Sequence, residues 1–166
     1  MTSPVVVPTS GFVSYVKVRF AECDPLGHVN NAVYLNYLEQ VAIDHASALG
    51  WSSAALLAKV GALFVARRHE IDYLQPAFEG DLLRVRTWPV EMRGARGLRV
   101  YDISRVEEDD RIGLIDRLLL PDELVPLPRK DTIVSARTEW AFMNPTTGRP
   151  VRIPTLVADD FVQTVK

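Results

Sequence analysis

FAECDPLGHVNNAVYLNYLEQVAIDHASALGW, residues 20–51, decides the fold. Its reading predicts a strand that ends at Phe20, a polar turn, and a long helix. The turn carries Cys23, Asp24, His28, Asn30 and Asn31. Asn30 or Asn31 suits the helix N-cap, because an asparagine oxygen accepts from an orphan N–H one turn in. Leu35, Leu38, Ala42, Ala46 and Leu49 then recur at helical spacing, and Val33, Val41 and Ile43 widen the stripe. So broad an apolar surface predicts a helix buried on most sides. Gly50 fits the residue just past its end. About 19 residues at 1.5 Å each give a rod of roughly 28 Å, long enough to be the core of a small domain. The free N–H groups at its start attract negative charge, so a reactive side chain at this mouth is placed for chemistry on a carbonyl.

Working outward, Phe12 to Phe20 alternates, with Phe12, Val16, Val18 and Phe20 on one parity and Lys17 and Arg19 on the other. That predicts a strand with one buried face. Residues 1–11, with Pro4, Pro8 and Gly11, read as a loose leader. Downstream, Ser52 or Ser53 caps a short second helix that Gly61 breaks. Ala62 to Gln75 is strand-like but changes parity, which predicts a bulge or a stretch buried on both faces. Leu82 to Met92 and Leu98 to Val106 are further strands, and Pro89 predicts a bulge or an edge in the first. Residues 107–131 form an insertion whose Ile112–Leu120 segment fits helix or strand. Thr132 to Met143 alternates again, and Arg149 to Pro154 is extended and confined to an edge by its prolines. The tail to Lys166 carries no pattern. The sum is one domain over residues 1–166. It is an α+β fold in which an antiparallel sheet of about five strands wraps around one long central helix. The exposed edge of such a sheet predicts self-association.

The chain has 166 residues, 48% hydrophobic and 24% charged, the composition of an ordinary globular domain with enough length for a sizeable core. A net charge of −2 gives no electrostatic reason for nucleic acid, and no basic run suits an anionic membrane. One cysteine rules out an internal disulfide framework and Cys-based zinc sites. No apolar run is long enough for a membrane span, and without a signal-peptide pattern the expected location is cytoplasmic.

Each polar residue of the central stretch has a plain reading beside a chemical one. Asp24-Pro25-Leu26-Gly27 is a good type I turn, and a turn can also hold a base in place. His28 orients water or substrate, or bonds a backbone carbonyl. Asn30 and Asn31 are caps before they are catalysts. Tyr34 and Tyr37 line an acyl tunnel or fill the core. Cys23 fits a half-buried thiol better than a nucleophile. Arg67, Arg68, Arg149 and Arg152 are positioned for phosphates or are plain strand-face charges. His45 and His69 lack partners at metal-ligand spacing.

The run from Asp24 to Tyr37 strongly resembles the start of hotdog-fold thioesterases, in particular the 4-hydroxybenzoyl-CoA thioesterase-like branch and the related acyl-ACP thioesterases. Glu70 to Ala77 with Gly80-Asp81, and Thr147 to Pro154, resemble that family's second strand and closing segment. Residues 107–131 depart from it, since the family has a short hairpin there. The resemblance implies a sheet wrapped around the helix and active sites at a dimer interface, in a homodimer or homotetramer. It implies that Asp24 attacks the thioester or activates water, and that a backbone N–H near Asn31 polarises the carbonyl. His28 is then a helper, and Tyr34 and Asn30 are candidate substrate-binding residues. The implied substrate is an acyl-CoA or an acyl carrier protein thioester, with no cofactor or metal. Two alternatives remain. A hotdog hydratase or dehydratase carries an Asp-x-Asn-Pro-x-His pattern, which is missing here. A non-catalytic acyl-thioester binding module would not need Asp24.

Overall fold

A computed structural model describes residues 5–165. The long helix α1 spans Asn31–Ala48, as its stripe predicts. Asn30 is its N-cap, the side-chain oxygen accepting from Ala32 N–H at 3.0 Å. At the other end Gly50, at φ +83°, donates to the Ser47 carbonyl while Trp51 N–H reaches Ala46. These paired bonds satisfy the last carbonyls and need the left-handed conformation that glycine adopts freely. A shorter helix α2, Ser53–Val60, is capped by Ser52 and stopped by Gly61.

The main sheet is antiparallel. It comprises β2 (Gly11–Lys17), β3 (Leu63–Tyr73), β4 (Leu82–Arg93), β5 (Arg96–Arg105), β6 (Arg117–Leu119) and β7 (Val134–Asn144), in the order β3-β7-β5-β4-β2-β6. A two-residue strand β8, Arg149–Pro150, pairs with the end of β7. The parity change in β3 is a register shift between Ala66 and Arg68, and Pro89 lies at another in β4. Both are bulges of the kind the sequence predicts.

Helix α1 lies on the inner face of this sheet. Tyr34, Tyr37, Leu38 and Val41 meet Leu83 and Val85 of β4, Tyr101 and Ile103 of β5, and Val134 and Ala136 of β7 in one apolar cluster. Leu38 and Val41 are 1% exposed, and burying each contributes roughly 2 kcal/mol. A second cluster joins Trp51, Leu56 of α2, Phe142 and Phe161 at the far end of α1.

Five expectations are corrected. The described residues hold three helices, where one long central helix and a short second one were expected, the third being α3, Thr155–Phe161. Six strands form the main path rather than five, because three residues of the 107–131 insertion add to the β2 edge as β6. The leader is not loose over residues 5–8: β1 (Val5–Pro8) pairs antiparallel with β9 (Val162–Val165) in a separate ladder. Residues 1–4 lie outside the described residues. The first strand ends at Lys17, and Phe20 is 78% exposed, because a short 3-10 turn over Phe20–Glu22 carries the ring off the strand face. Helix α1 also buries a single stripe rather than most of its surface, with Ile43 exposed. No helix among the described residues is long and apolar enough to cross a membrane.

Candidate active site

The loop between β2 and α1 is tied at both ends. Val18 N–H donates to the Asp81 carbonyl, and Val29 N–H to that of Ala77. The buried Glu22 carboxylate is the main anchor. It accepts from Arg19 N–H (2.8 Å), Arg19 Nη2 (2.7 Å) and the Tyr37 hydroxyl (2.9 Å), while the Glu22 carbonyl accepts from Asn30 N–H. Burial opposes its ionised form, but the Arg19 side chain and N–H and the Tyr37 hydroxyl outweigh burial and hold the carboxyl below its ordinary value. Burial first, and Glu22 second, push the Tyr37 phenol far above its ordinary value. Tyr37 is on α1, so this contact fixes the helix start relative to the loop.

Inside those ties, Asp24 to His28 is a closed turn. Gly27 N–H donates to the Asp24 carbonyl at 2.9 Å, as the type I reading predicts, and Asp24 N–H donates to that of His28 at 2.7 Å. Gly27 has φ +78°, a conformation that a side chain at this position would strain. The Asp24 carboxylate closes the turn through Oδ1, which accepts from Leu26 N–H at 2.8 Å and His28 N–H at 3.1 Å. All its hydrogen bonds among the described residues are made by Oδ1, so Oδ2 is held in a fixed direction with its lone pairs open.

Asp24 lies on an open groove of about 650 Å³ whose walls include Phe20, Cys23, Pro25 and Phe78. Phe20 and Phe78 are exposed large apolar side chains here. His28 is half-buried beside the groove, its ring edge-on to Phe78 with centroids 5.2 Å apart. Asn31 is the exposed first residue of α1, and its carbonyl accepts from the Tyr73 hydroxyl at 3.0 Å. Asn30 spends its side-chain oxygen on the cap. Tyr34 is 2% exposed, packed against Tyr37 and Tyr73 in the core, and burial pushes its phenol up to about 12. The structure thus joins Asp24, His28 and the helix mouth in one loop and sets Tyr34 beneath it. The Cys23 thiol donates to the Arg19 carbonyl at 3.8 Å. Arg67, Arg68, Arg149 and Arg152 are exposed, and Arg68 is ion-paired with Glu70. Among the described residues no cluster of three or more His, Cys, Asp or Glu is placed to hold a metal ion.

The sequence reading missed Glu22 and the Phe20–Phe78 walls. The i, i+3 spacing of Arg19 and Glu22 was the available signal, whereas Phe78 reaches the groove only through the His28–Phe78 backbone bridge.

An antiparallel sheet wrapped on a long helix, with a polar turn at the helix mouth, defines the hotdog class of folds. The chain belongs to the thioesterase-like superfamily, whose family model matches residues 18–161. Among curated proteins it is 33% identical over 86 residues to the acyl-CoA thioesterase YbgC of Haemophilus influenzae, across 52% of this chain and 63% of the relative. It is 31% identical over 86 residues to the long-chain acyl-CoA thioesterase FadM of Escherichia coli, across 50% of this chain and 61% of the relative. Both alignments therefore span less than two thirds of the relative's length. A solved structure of a probable thioesterase from Bartonella henselae superposes with a TM-score of 0.65 at 26% identity, covering 86% of this chain and 98% of that one.

Proposed function

We propose that the chain hydrolyses acyl-CoA thioesters to a free acid and coenzyme A. The observation that carries this reading is the Asp24 carboxylate on an open groove. One oxygen is tied down by two backbone N–H groups and the other is free, and the turn leads directly into the N-terminus of α1. The names of the curated relatives support coenzyme A as the carrier.

In this mechanism Oδ2 of Asp24 takes a proton from water as the water oxygen bonds to the thioester carbon, or bonds to that carbon itself. The carbonyl π electrons move to oxygen, and the resulting oxyanion accepts from the Asn31 N–H at the helix start. One preorganised donor of this kind supplies roughly 3 kcal/mol of transition-state stabilisation. Collapse of the oxyanion breaks the C–S bond, and the thiolate leaves and takes up the proton that Asp24 removed from water; where Asp24 itself attacked, water then cleaves the aspartyl anhydride, releasing the acid and restoring the carboxylate. His28 is held against Phe78 where its ring can order the incoming water. Phe20 and Phe78 give the groove the apolar walls that an acyl group needs. We further read the free edge of β3, which exposes Val65 and Tyr73, as the face on which a second copy docks.

The test is thiol release from a panel of aliphatic and aromatic acyl-CoAs, with Asp24→Asn alongside wild type and the Cys23 background subtracted. Asparagine keeps an oxygen for both N–H donors, so the turn survives. A loss of at least about a hundredfold in kcat supports the assignment. Equal activity makes Asp24 a turn residue only and overturns it. If the wild type turns over no acyl-CoA, the coenzyme A assignment falls and acyl carrier protein thioesters are tested.

A further inference from the structure

A second cavity lies toward the other end of α1, starting at Ala42, ~17 Å along the helix from Asn31 at 1.5 Å per residue. It holds about 80 Å³ and is walled by Ile43, Leu56, Phe64 and Met92, with Arg99 and Trp140 also on its surface. The walls are mostly apolar, with Ser53, Arg99 and the indole of Trp140 as polar exceptions, and Arg99 is unusual.

Arg99 is 5% exposed, and among the described residues it makes no ion pair with a carboxylate. Its hydrogen bonds leave from Nη1, to His45 Nδ1 at 2.8 Å and to Thr87 Oγ1 at 3.3 Å. A guanidinium only donates, so His45 Nδ1 is the acceptor and the ring's proton sits on Nε2, which donates to Ser10 Oγ at 2.9 Å. His45 is therefore neutral and contributes no charge of either sign. The Phe161 ring, 5.8 Å from the guanidinium carbon, is the other close partner. This leaves a whole positive charge in the core without a counter-charge, an arrangement that folding disfavours strongly. Trp140 also lines the cavity, but its buried indole N–H is directed at the Tyr101 hydroxyl.

We propose that this cavity binds a small organic carboxylate, a short-chain or single-ring acid whose carboxylate pairs with Arg99 while its apolar body fills the space between Ile43, Leu56, Phe64 and Met92. One anionic group answers one buried cation. The apolar walls select a hydrocarbon body and disfavour inorganic phosphate, whose remaining oxygens would meet no donors. The site is separate from the Asp24 groove, so its existence does not rest on thioester hydrolysis.

The experiment is a calorimetric titration of the full chain at neutral pH with benzoate, hexanoate, benzamide, hexanol and inorganic phosphate. Indole fluorescence gives a second readout, because Trp51 and Trp140 both line the cavity. The expected result is binding of the carboxylates at least about tenfold tighter than their uncharged partners, no phosphate binding, and a change in indole emission. Arg99→Met abolishes the preference for the charged ligand. Since that variant can fail to fold, Ala46→Leu provides a second test: it fills the cavity from α1 with a good helix former, and it abolishes binding with Arg99 intact. Equal affinity for benzoate and benzamide, no binding of either carboxylate, or unaltered binding to Ala46→Leu overturns the proposal.

Discussion

Acidification should destabilise the protein through His45 well before its carboxylates titrate. His45 is 0% exposed, and burial first, with the neighbouring Arg99 charge second, lowers its pKa from 6.5 to about 2. A depressed pKa means that the unfolded chain binds the proton and the folded one does not. The stabilisation is therefore complete above 6.5 and is lost progressively as the pH falls toward the folded value. Each pH unit below 6.5 removes about 1.4 kcal/mol, so at pH 5.0 the loss is roughly 2 kcal/mol, a large share of a typical domain's stability. The assay is urea unfolding of wild type and His45→Gln at pH 7.5, 6.5, 5.5 and 5.0. Glutamine retains an oxygen for Arg99 but does not titrate. Carboxylates common to both proteins cancel in the comparison. Wild type should lose about 2 kcal/mol more than the variant between pH 7.5 and 5.0. Parallel pH profiles for the two proteins would refute the reasoning, because His45 would then be charged or solvated in the folded state.

Asp102→Asn should destabilise by about 3 kcal/mol in urea unfolding, since the buried Asp102 grips the half-buried Arg86 through both oxygens and its loss strands a cation on the outer face of the sheet. Arg86 also donates to the carbonyls of Glu123 and Val125, so limited proteolysis of the same variant should cut faster within residues 121–127. Tyr37→Phe removes the hydroxyl that joins α1 to Glu22 and should cost about 2 kcal/mol. If that contact positions the helix mouth, kcat should fall with little change in KM, and a normal kcat would assign Tyr37 to packing alone.

Elements whose cause is local could be read directly. Asn30, Gly50 and Gly61 end helices through bonds to residues within one turn, and the Pro89 bulge follows from a missing N–H. The elements that were missed depend on distant partners. Val5–Pro8 is a strand only because Val162–Val165 lies beside it, and Arg117–Leu119 only because β2 has a free edge. Neither segment is long enough to display a period. The alternation before Phe20 misled because the chain leaves the sheet after Lys17, and parity says nothing about where a strand stops. At the candidate site the Asp24 turn was legible from four adjacent residues. Glu22 with Tyr37, and Arg99 with His45, are pairings 15 and 54 positions apart that only the folded chain brings together.

The β1–β9 ladder has a kinetic consequence. Val5 faces Val165, so this clasp closes a loop of nearly the whole described chain. A lone two-stranded ribbon is marginal in water, and the entropy of bringing such distant ends together is not recovered until the sheet between them exists. The clasp should thus form last and open first. Its amides should exchange with solvent while α1 and the central strands stay protected, making the two ends of the described chain an early indicator of loosening elsewhere.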